Sequence, residues 1–359
     1  GTADFNAAFA VKPGEIVVGD GTFTATGGST ELIVGWPVYV HSENGANRTT
    51  LRTTSHWNFK VTADAGDGAR ISGFTLSGGG TGSAYGIAGS LDMACGTVDH
   101  CVVSNVAVLS RSCICALSGT AKMSDCTVDG AGWRNDNKDG GPMCAINLSG
   151  QALAERVEVK RFTAPESSVG HCAVYVNSAD AVLRNAYVHD NTRALTPQNA
   201  NDARGAGVRL VSGRVENCTI VDNTAGGFGG GLLVEKQSGT VVNTIIYNNG
   251  ISSLGSCQVS GGTFKTNITD KVESEGGFVQ DPKFVDSTGD FHLLTGSPAI
   301  DKAAPLVAYD LEGTARPQRE GWDIGCYELP PSTEKSVTIS SDVVEGPAGM
   351  EIVAQAKLE

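Results

Sequence analysis

The decapeptide RVENCTIVDN (214–223) decides the fold, because its order of polar and apolar residues recurs along the chain. VLRNAYVHDN (182–191) precedes it and TVVNTIIYNN (240–249) follows it, with the same order and little identity. Four blocks align upstream: RISGFTLSGG (70–79), TVDHCVVSNV (97–106), KMSDCTVDGA (122–131) and LAERVEVKRF (153–162). Successive blocks start 27, 25, 31, 29, 32 and 26 residues apart. A repeat of this length cannot bury an apolar face alone, so its copies are expected to stack.

Three positions of the block are almost purely apolar and predict the stacked core. They are positions two, five and seven, held by Val215, Cys218 and Ile220 in the opening block. Positions five and seven are two apart, the spacing of strand residues that face one side. Position four is polar in six of seven blocks and is expected at a turn, where an Asn such as Asn217 bonds the turn backbone and its equivalent in the next coil.

Short strands such as GVRLVSG (207–213) precede the blocks, and no segment has convincing helical periodicity. The pattern therefore predicts an all-β fold, a right-handed parallel β-helix solenoid with about 25–32 residues per coil, followed by a capping tail. The uneven spacing indicates that one corner of the coil accepts insertions.

Composition narrows the function. Glycine accounts for 47 of 359 residues and charged residues for 18%, which favours many tight turns over long helices. The net charge of −13 argues against nucleic acid as the main partner, because phosphate binding needs a basic face. No apolar run is long enough to predict a transmembrane segment. The chain opens at GTADFNAAFA (1–10) without a signal segment, so we expect either a cytosolic protein or a signal peptide outside this sequence.

The ten cysteines are interpreted mainly as buried thiols that fill the core, with disulfides or a metal site as alternatives. Two columns of three are predicted: Cys101, Cys126 and Cys218 at position five, and Cys115, Cys144 and Cys172 at the start of Cys-Ala-aliphatic strands. Cys257 and Cys326 lie outside both columns and are the better candidates for a bridge.

The C-terminal part carries a family resemblance. DPKFVDSTGDFHLLTGSPAID (281–301) and DLEGTARPQREGWDIGCYE (310–328) resemble the terminal segment of secreted bacterial right-handed parallel β-helix proteins, a segment of choice-of-anchor type. Cys326 replaces the family's small residue in DIGxYE. The resemblance implies a pectin-lyase-like fold, a secreted or bacterial cell-surface location and carbohydrate-related roles. It does not imply an activity, since the fold hosts lyases, hydrolases and non-catalytic proteins.

Three regions are predicted. Residues 1–280 form the β-helix, with 1–45 as its first coils and N-terminal cap. Residues 281–328 form the C-terminal capping segment, and residues 329–359 a Pro-rich linker and the start of a truncated β-rich domain, or else a return strand on the β-helix. Four charged residues of the tail are interpreted as structural, closing the end of the helix. They are Asp281, Asp301, Arg316 and Asp323.

The candidate catalytic residues lie at outward positions of the middle coils. They are Asp129, Glu158, Lys160, Arg161, Tyr187, His189 and Asp190. The cationic, imidazole and phenol groups suit β-elimination of a uronate, in which one group removes the C5 proton, another protonates the leaving oxygen and a cation neutralises the carboxylate. Glu158 with Asp129 or Asp190 suits glycoside hydrolysis instead. A solvated surface, whose stacked opposite charges help strands to pair, is the competing interpretation.

The candidate substrate-binding residues are Trp133, Arg134, Arg193, Arg204 and Asp222. Long corners at 130–142, 161–171 and 191–207 lie beside the middle coils, and such loops build binding grooves. Segment 156–214 holds eight Lys or Arg against five Asp or Glu, which favours a polyanionic sugar. Trp133 is either a sugar-stacking platform or a Trp packed on the coil.

NDNKDG (135–140) partly matches a calcium loop, so calcium and an ordinary polar turn both stay open; no other metal or cofactor is predicted.

The sequence thus predicts a secreted or surface β-helix protein, expected to be a monomer, that binds or processes polysaccharide. An acidic-glycan lyase is one form of this hypothesis. A non-catalytic surface or adhesion protein that binds glycan or a protein partner is the alternative, and a structural stalk is a third. Pectin hydrolysis is disfavoured, because no NTD, Arg-Ile-Lys or suitably placed Asp-Asp pair occurs.

Overall fold

The computed structural model describes residues 7–25, 32–53, 58–78, 90–108, 113–131, 134–135, 144–164, 172–193, 205–225, 229–235, 238–250 and 255–331. Residues 1–329 form one compact unit and residues 330–359 a second. Of the predicted linker and truncated domain (329–359), the described part is 329–331. Apart from a helical turn at 7–10 and a 3-10 turn at Ala63–Ala65, the regular elements described are strands.

The first strands are β1 (Glu15–Val18), β2 (Gly21–Ala25), β3 (Leu32–Val34), β4 (Tyr39–Ser42), β5 (Thr49–Thr53), β6 (Phe59–Val61), β7 (Arg70–Ser72), β8 (Thr75–Gly78), β9 (Leu91–Met93), β10 (Thr97–Asp99) and β11 (Val102–Val108). The middle strands are β12 (Cys115–Leu117), β13 (Lys122–Asp129), β14 (Arg134–Asn135), β15 (Cys144–Leu148), β16 (Leu153–Lys160), β17 (Thr163–Ala164), β18 (Cys172–Arg184), β19 (Tyr187–His189), β20 (Thr192–Arg193) and β21 (Val208–Glu216). The last strands are β22 (Thr219–Val221), β23 (Thr224–Ala225), β24 (Leu232–Val234), β25 (Gly239–Val242), β26 (Ile245–Tyr247), β27 (Cys257–Val259), β28 (Thr263–Lys265), β29 (Ile268–Thr269), β30 (Phe278–Val279), β31 (Phe284–Asp286) and β32 (Asp290–Leu293).

The strands stack in parallel into three faces, which confirms the predicted β-helix. The first face runs through β1, β4, β7, β10, the first halves of β13 and β16, the second halves of β18 and β21, and then β25 and β28. The second face runs through β2, β5, β8, β11, the second halves of β13 and β16, and then β19, β22, β26, β29 and β30. The third face runs through β3, β6, β9, β12, β15, the first halves of β18 and β21, and then β24 and β27.

The register of the stack matches the repeat. Val215 pairs with Leu183 in the coil before and with Val241 in the coil after, all at position two. Ile220 pairs with Val188 and Ile246 at position seven in the same way. These side chains are buried in one continuous apolar core, so positions two and seven do what the pattern predicts.

Two sharp corners flank the second-face strands of the coils that hold β16, β19, β22 and β26. Position four has a left-handed backbone in non-glycine residues, for example φ 51° at Asn217 and 54° at Asn243. Position nine repeats this, with φ 55° at Arg161 and 53° at both Asp190 and Asp222. Asn and Asp tolerate this conformation because their short side chains bond locally, and one such residue turns the chain into the next face.

Side chains from the next coil accept the amide hydrogens that these corners leave without a ladder partner. At position five the N–H of Cys218 donates to Oγ1 of Thr244 at 3.3 Å, and Cys101 donates to Sγ of Cys126 at 3.4 Å. A buried amide needs such an acceptor, because leaving it unpaired costs free energy. Cysteine at position five is therefore both a core residue and an acceptor.

After the second corner, a ladder of buried asparagines accepts the backbone amide hydrogens in the same way. The N–H of Asn191 donates to Oδ1 of Asn223 at 3.2 Å, and the N–H of Asn223 donates to Oδ1 of Asn249 at 2.9 Å. Their side-chain amides also bond one another at 2.8 Å. The inter-coil bond expected between asparagines at position four runs from Nδ2 of Asn243 to Oδ1 of Asn217 at 3.2 Å.

Two predictions about cysteines are wrong in detail. Cys115 pairs with Ile146, so it is Cys113 that lies in the column of Cys144 and Cys172. The corners that precede these strands differ in length. The alignment on the first cysteine of each Cys-Ala-aliphatic strand is therefore two residues out of register at Cys115. All ten thiols are free, and the pair thought best suited to a bridge, Cys257 and Cys326, belongs to two separate apolar clusters.

The C-terminal segment packs against the side of the last coils. Its hairpin, β31 with β32, and the later residues Ile324 and Cys326 cover outward residues of the second face. The N–H of Cys326 donates to Oγ1 of Thr219 at 3.1 Å, and Nδ2 of Asn185 donates to the carbonyl of Tyr309 at 2.7 Å. Whether residues 281–328 also cap the end of the helix stays a prediction.

Buried charges hold the turns of this segment. Arg316 donates to the carbonyl of Asp323 at 2.8 Å and to the carboxylate of Glu328 at 3.2 Å, and both ionic side chains are buried. Oδ1 of Asp323 accepts the N–H of Asp301 at 2.8 Å. Asp281 is exposed and accepts the N–H of Lys283 at 2.8 Å, so it shapes a surface turn. Across the described part of the chain, no helix is long and apolar enough to cross a membrane.

Candidate functional site

The predicted catalytic residues come together on the second face and its following corner. Asp129, Lys160 and His189 occupy position eight in successive coils. Glu158 pairs with Tyr187 at position six, one coil apart. We call these residues, with Arg161 and Asp190 at position nine, the middle-coil patch.

Glu158 is the centre of a hydrogen-bonded ionic network. Nζ of Lys160 lies 2.9 Å from both of its carboxylate oxygens, and Nε2 of His189 lies 3.1 Å from Oε1. Nδ1 of His189 lies 2.8 Å from Asp190, and Thr127 donates to Oε2 of Glu158 at 3.2 Å. Both ring nitrogens of His189 thus face carboxylates, and the ammonium of Lys160 is already bonded.

The electrostatics of Glu158 and Tyr187 limit their chemistry. Burial would raise the pKa of Glu158, but hydrogen bonds from His189 and Lys160 outweigh it and lower the pKa to about 2. A carboxylate this acidic is ionised at neutral pH and does not serve as a general acid. Burial raises the pKa of Tyr187 well above its ordinary value, so its phenol stays protonated.

Arg161 and Asp129 form a second pair across neighbouring coils. Nε of Arg161 donates to Oδ1 of Asp129 at 2.9 Å, while 55% of the arginine side chain stays exposed. Burial would raise the pKa of Asp129, but the hydrogen bond from Arg161 outweighs it and lowers the pKa. The exposed guanidinium is therefore positioned by its partner and accessible from solvent.

The basic excess of segment 156–214 does not form one surface, contrary to the prediction. Arg184 and Arg214 lie on the first face and both pair with Glu216, whereas Arg209 lies on the third face and pairs with Glu235. The strands turn through three faces within one coil, so neighbours in sequence point in different directions. The acidic partners come from the same strand or from adjacent coils and neutralise most of this charge.

The other predicted binding residues have different outcomes. Arg193 is only 3% exposed, so it does not present its guanidinium at the surface. Asp222 is accessible, and Nδ2 of Asn248 donates to it at 2.5 Å; burial raises its pKa. Trp133, Arg204 and the side chain of Arg134 lie outside the described residues.

Most of the calcium-like loop, 136–140, is also outside the described residues. The described part of the chain contains no group of three or more His, Cys, Asp or Glu arranged to hold a metal ion. Calcium at this loop stays a prediction.

The C-terminal segment adds a wall to the patch that the sequence did not reveal. The ring of Tyr187 stacks on His189 with centroids 3.8 Å apart, and it also packs against Phe291 at 5.5 Å and Tyr327 at 6.1 Å. Tyr327 in turn lies 4.1 Å from His292. The signal in the sequence is the pair of DFHL and DIGCYE motifs, which carry the family resemblance but do not indicate what these residues pack against.

His292 is anchored by two carboxylates. Nδ1 lies 2.6 Å from Asp290 and Nε2 lies 3.3 Å from Glu312. Burial would lower the pKa of His292, but the hydrogen bonds to Asp290 and Glu312 outweigh it and raise the pKa. The wall therefore brings an imidazole, a phenol and carboxylates beside the middle-coil patch.

Comparison with solved structures finds the same architecture in pectate lyase Pel9A. The match has a TM-score of 0.52 and covers 90% of each chain at 15% sequence identity. The chain has the parallel β-helix fold of a pectate lyase. At this identity the likeness shows the fold alone. No protein-family model and no curated protein sequence matches the chain.

Proposed function

We propose that this protein binds polysaccharide along the side of its coils, at the middle-coil patch, and that it acts outside the cell or at a bacterial cell surface. The observation that carries the proposal is the cluster of Glu158, Lys160 and His189 on one face of a rigid β-helix. Such a scaffold holds charged and hydrogen-bonding groups at the regular spacing of its coils, which suits a polymer with a regular repeat. The likeness to a pectate lyase supports a polysaccharide-related role.

Binding fits the patch better than catalysis does. A general base needs an available lone pair, and the groups suited to that role are engaged: Lys160 with Glu158, and His189 with two carboxylates. The exposed parts of the patch are Arg161 and Asp190, whose side chains are 55% and 59% accessible. They donate and accept hydrogen bonds, which is the chemistry that sugar hydroxyls require.

A lyase is the second candidate. The observation that favours it is the ion pair between Lys160 and Glu158, in which Nζ lies 2.9 Å from Oε1. The carboxylate of a bound uronate would displace Glu158 from this ammonium. The Lys160 ammonium would then neutralise the uronate carboxylate, and the imidazole of His189, released from Glu158, would take the C5 proton and deliver it to the leaving oxygen. The non-catalytic surface protein that binds glycan or a protein partner is the form of the proposal without this step.

The test is a binding and activity panel on polygalacturonate, alginate, chondroitin sulfate, heparin and neutral xylan. We expect Lys160→Ala and Arg161→Ala to weaken binding of the preferred polymer about tenfold each. Lys265→Ala is the control, because Lys265 also forms a lysine–glutamate ion pair, with Glu275, but on the first face. Unsaturated product that appears with the native chain and disappears in Lys160→Ala would establish the lyase.

Two results would contradict the proposal. One is a chain that binds none of the polymers. The other is binding that Lys265→Ala weakens as much as Lys160→Ala and Arg161→Ala do, since the patch would then have no special part in it.

A further inference from the structure

A cleft of about 590 Å³ lies between the last coils and the C-terminal segment. Tyr247 and Asn248 line it from the coil, and Asp281, Lys283, Asp286 and Leu294 line it from the segment. Its volume is within the range of small-molecule sites. The sequence patterns assigned these residues to strands and turns, so the cleft was not predicted.

The cleft is amphipathic. The half-buried ring of Tyr247 and the nearly buried Phe291 supply apolar surface, and Leu294 at the rim is 46% exposed. Burial, together with the charge of Asp281, raises the pKa of Tyr247, whose phenol is therefore a neutral hydrogen-bond donor. An aromatic ring beside several polar groups matches a sugar, which has an apolar C–H face and a rim of hydroxyls.

The charge of the cleft selects among sugars. Asp281 and Asp286 each use Oδ1 to accept a turn N–H, and among the described residues the second oxygen of each has no hydrogen-bond donor. Nζ of Lys283 already donates to the carbonyl of Gly296 at 3.1 Å. Two carboxylates with free oxygens therefore outweigh one engaged ammonium. This balance repels a uronate and accepts hydroxyl donors.

The cleft is connected to the middle-coil patch along one exposed edge. Position nine of successive coils holds Arg161, Asp190, Asp222 and Asn248, all exposed or half-buried. Three coils at the strand spacing place Arg161 about 14 Å from Asn248. Position eight does not connect the two sites, because Val221 is fully covered by the C-terminal segment.

We propose that this cleft is a subsite for a neutral, hydroxyl-rich sugar unit of a chain that lies along position nine, with the ring of Tyr247 as its stacking surface. The proposal rests on the proposed polysaccharide binding and adds its second contact point. Asp281 and Asp286 accept hydrogen bonds from hydroxyls of the bound unit, and the phenol of Tyr247 donates one.

The test is calorimetric titration of the full chain with cellohexaose, xylohexaose and hexagalacturonate. We expect a neutral hexasaccharide to bind and Tyr247→Ala to raise its Kd about tenfold. Tyr309→Ala is the matched control, because Tyr309 is an exposed tyrosine of the C-terminal segment, outside the cleft, and should change the Kd less than about twofold. Leu294→Arg is a second variant, at an exposed rim position, that blocks the cleft without touching the core.

The outcomes separate this proposal from the previous one. If Lys160→Ala weakens binding while Tyr247→Ala and Leu294→Arg do not, the cleft is not a subsite and the patch stands. If the cleft variants weaken binding and Lys160→Ala does not, the cleft stands and the patch does not. Binding of hexagalacturonate alone would overturn the neutral-sugar assignment, and binding of none of the three probes would overturn the subsite.

Discussion

His189 and Glu158 lie one coil apart, and Nε2 of the imidazole is 3.1 Å from Oε1 of the carboxylate. The contact joins two consecutive strands of the second face through their side chains as well as through the backbone ladder. Nζ of Lys160, on the same strand as Glu158, lies 2.9 Å from the same carboxylate oxygen. The patch is therefore a structural clamp, because its ion pairs join neighbouring strands and stabilise the fold, and it is also a polar surface. Stability measurements test the first role and binding measurements test the second.

The clamp predicts acid sensitivity. Because the pKa of Glu158 is lowered from 4.5 to about 2, its contribution is fully present above the unfolded value and is lost as pH falls toward the folded value. We expect native Glu158 to contribute on the order of 2–3 kcal/mol at neutral pH. Urea unfolding at about pH 7 and about pH 3 measures it. Glu158→Gln should remove this part of the pH dependence of stability. Glu275→Gln is the control and should leave it in place, because Glu275 belongs to an exposed ion pair with Lys265.

His292, in the wall that the C-terminal segment forms, predicts the opposite pH dependence: stability falls as pH rises. The pKa of His292 is raised by Asp290 and Glu312, so its contribution to stability is complete below its unfolded pKa of 6.5 and is lost as pH rises through the folded value. We expect the native chain to lose stability relative to His292→Gln as pH rises above about 6.5. Thermal unfolding across this range is the measurement, with His41→Gln in the first coils as control. Equal slopes for His292→Gln and the native chain would contradict the assignment.

The asparagine ladder predicts a large cost for one buried amide. Asn223 accepts the N–H of Asn191 and donates through Nδ2 to two carbonyls and to Oδ1 of Asn249. Asn223→Ala leaves several buried groups unpaired, at about 1–3 kcal/mol each. We expect a lower thermal midpoint and urea midpoint. Asn44→Ala, at an exposed asparagine, should change neither; an unaltered midpoint for Asn223→Ala would show that water replaces the side chain.

The cysteine column predicts one selective oxidation. Sγ of Cys113 and Sγ of Cys144 lie 2.7 Å apart, and Cys113 is half-buried whereas Cys144 and Cys172 are buried. Oxidised glutathione should react first at Cys113, and the resulting mixed disulfide should then be attacked by Cys144, releasing reduced glutathione. Peptide mapping without reduction should find Cys113 joined to Cys144. A link from Cys144 to Cys172, or glutathione retained on Cys113, would contradict the expected order.

Local pattern was sufficient for the second face. Alternation about Cys218 and Ile220, and the turn residues at positions four and nine, determine which side chains point inward, because a strand residue and its neighbour two positions on face the same side. That rule predicts Asp129, Lys160 and His189 in one column, and the strand register confirms it. It failed for Cys115, because corners of unequal length lie between that strand and the blocks.

Tertiary structure alone decided what surrounds that column. The sequence determined the β-helix, the stacking of Glu158 beside Tyr187 and the acidic balance of the chain, all of which follow from periodicity and composition. It did not show that the C-terminal segment lies on Tyr187 and Val221, nor that it leaves a cleft at Tyr247. The same outward positions are apolar or polar according to what packs on them, and that contact joins residues far apart in the chain, where no local spacing records it.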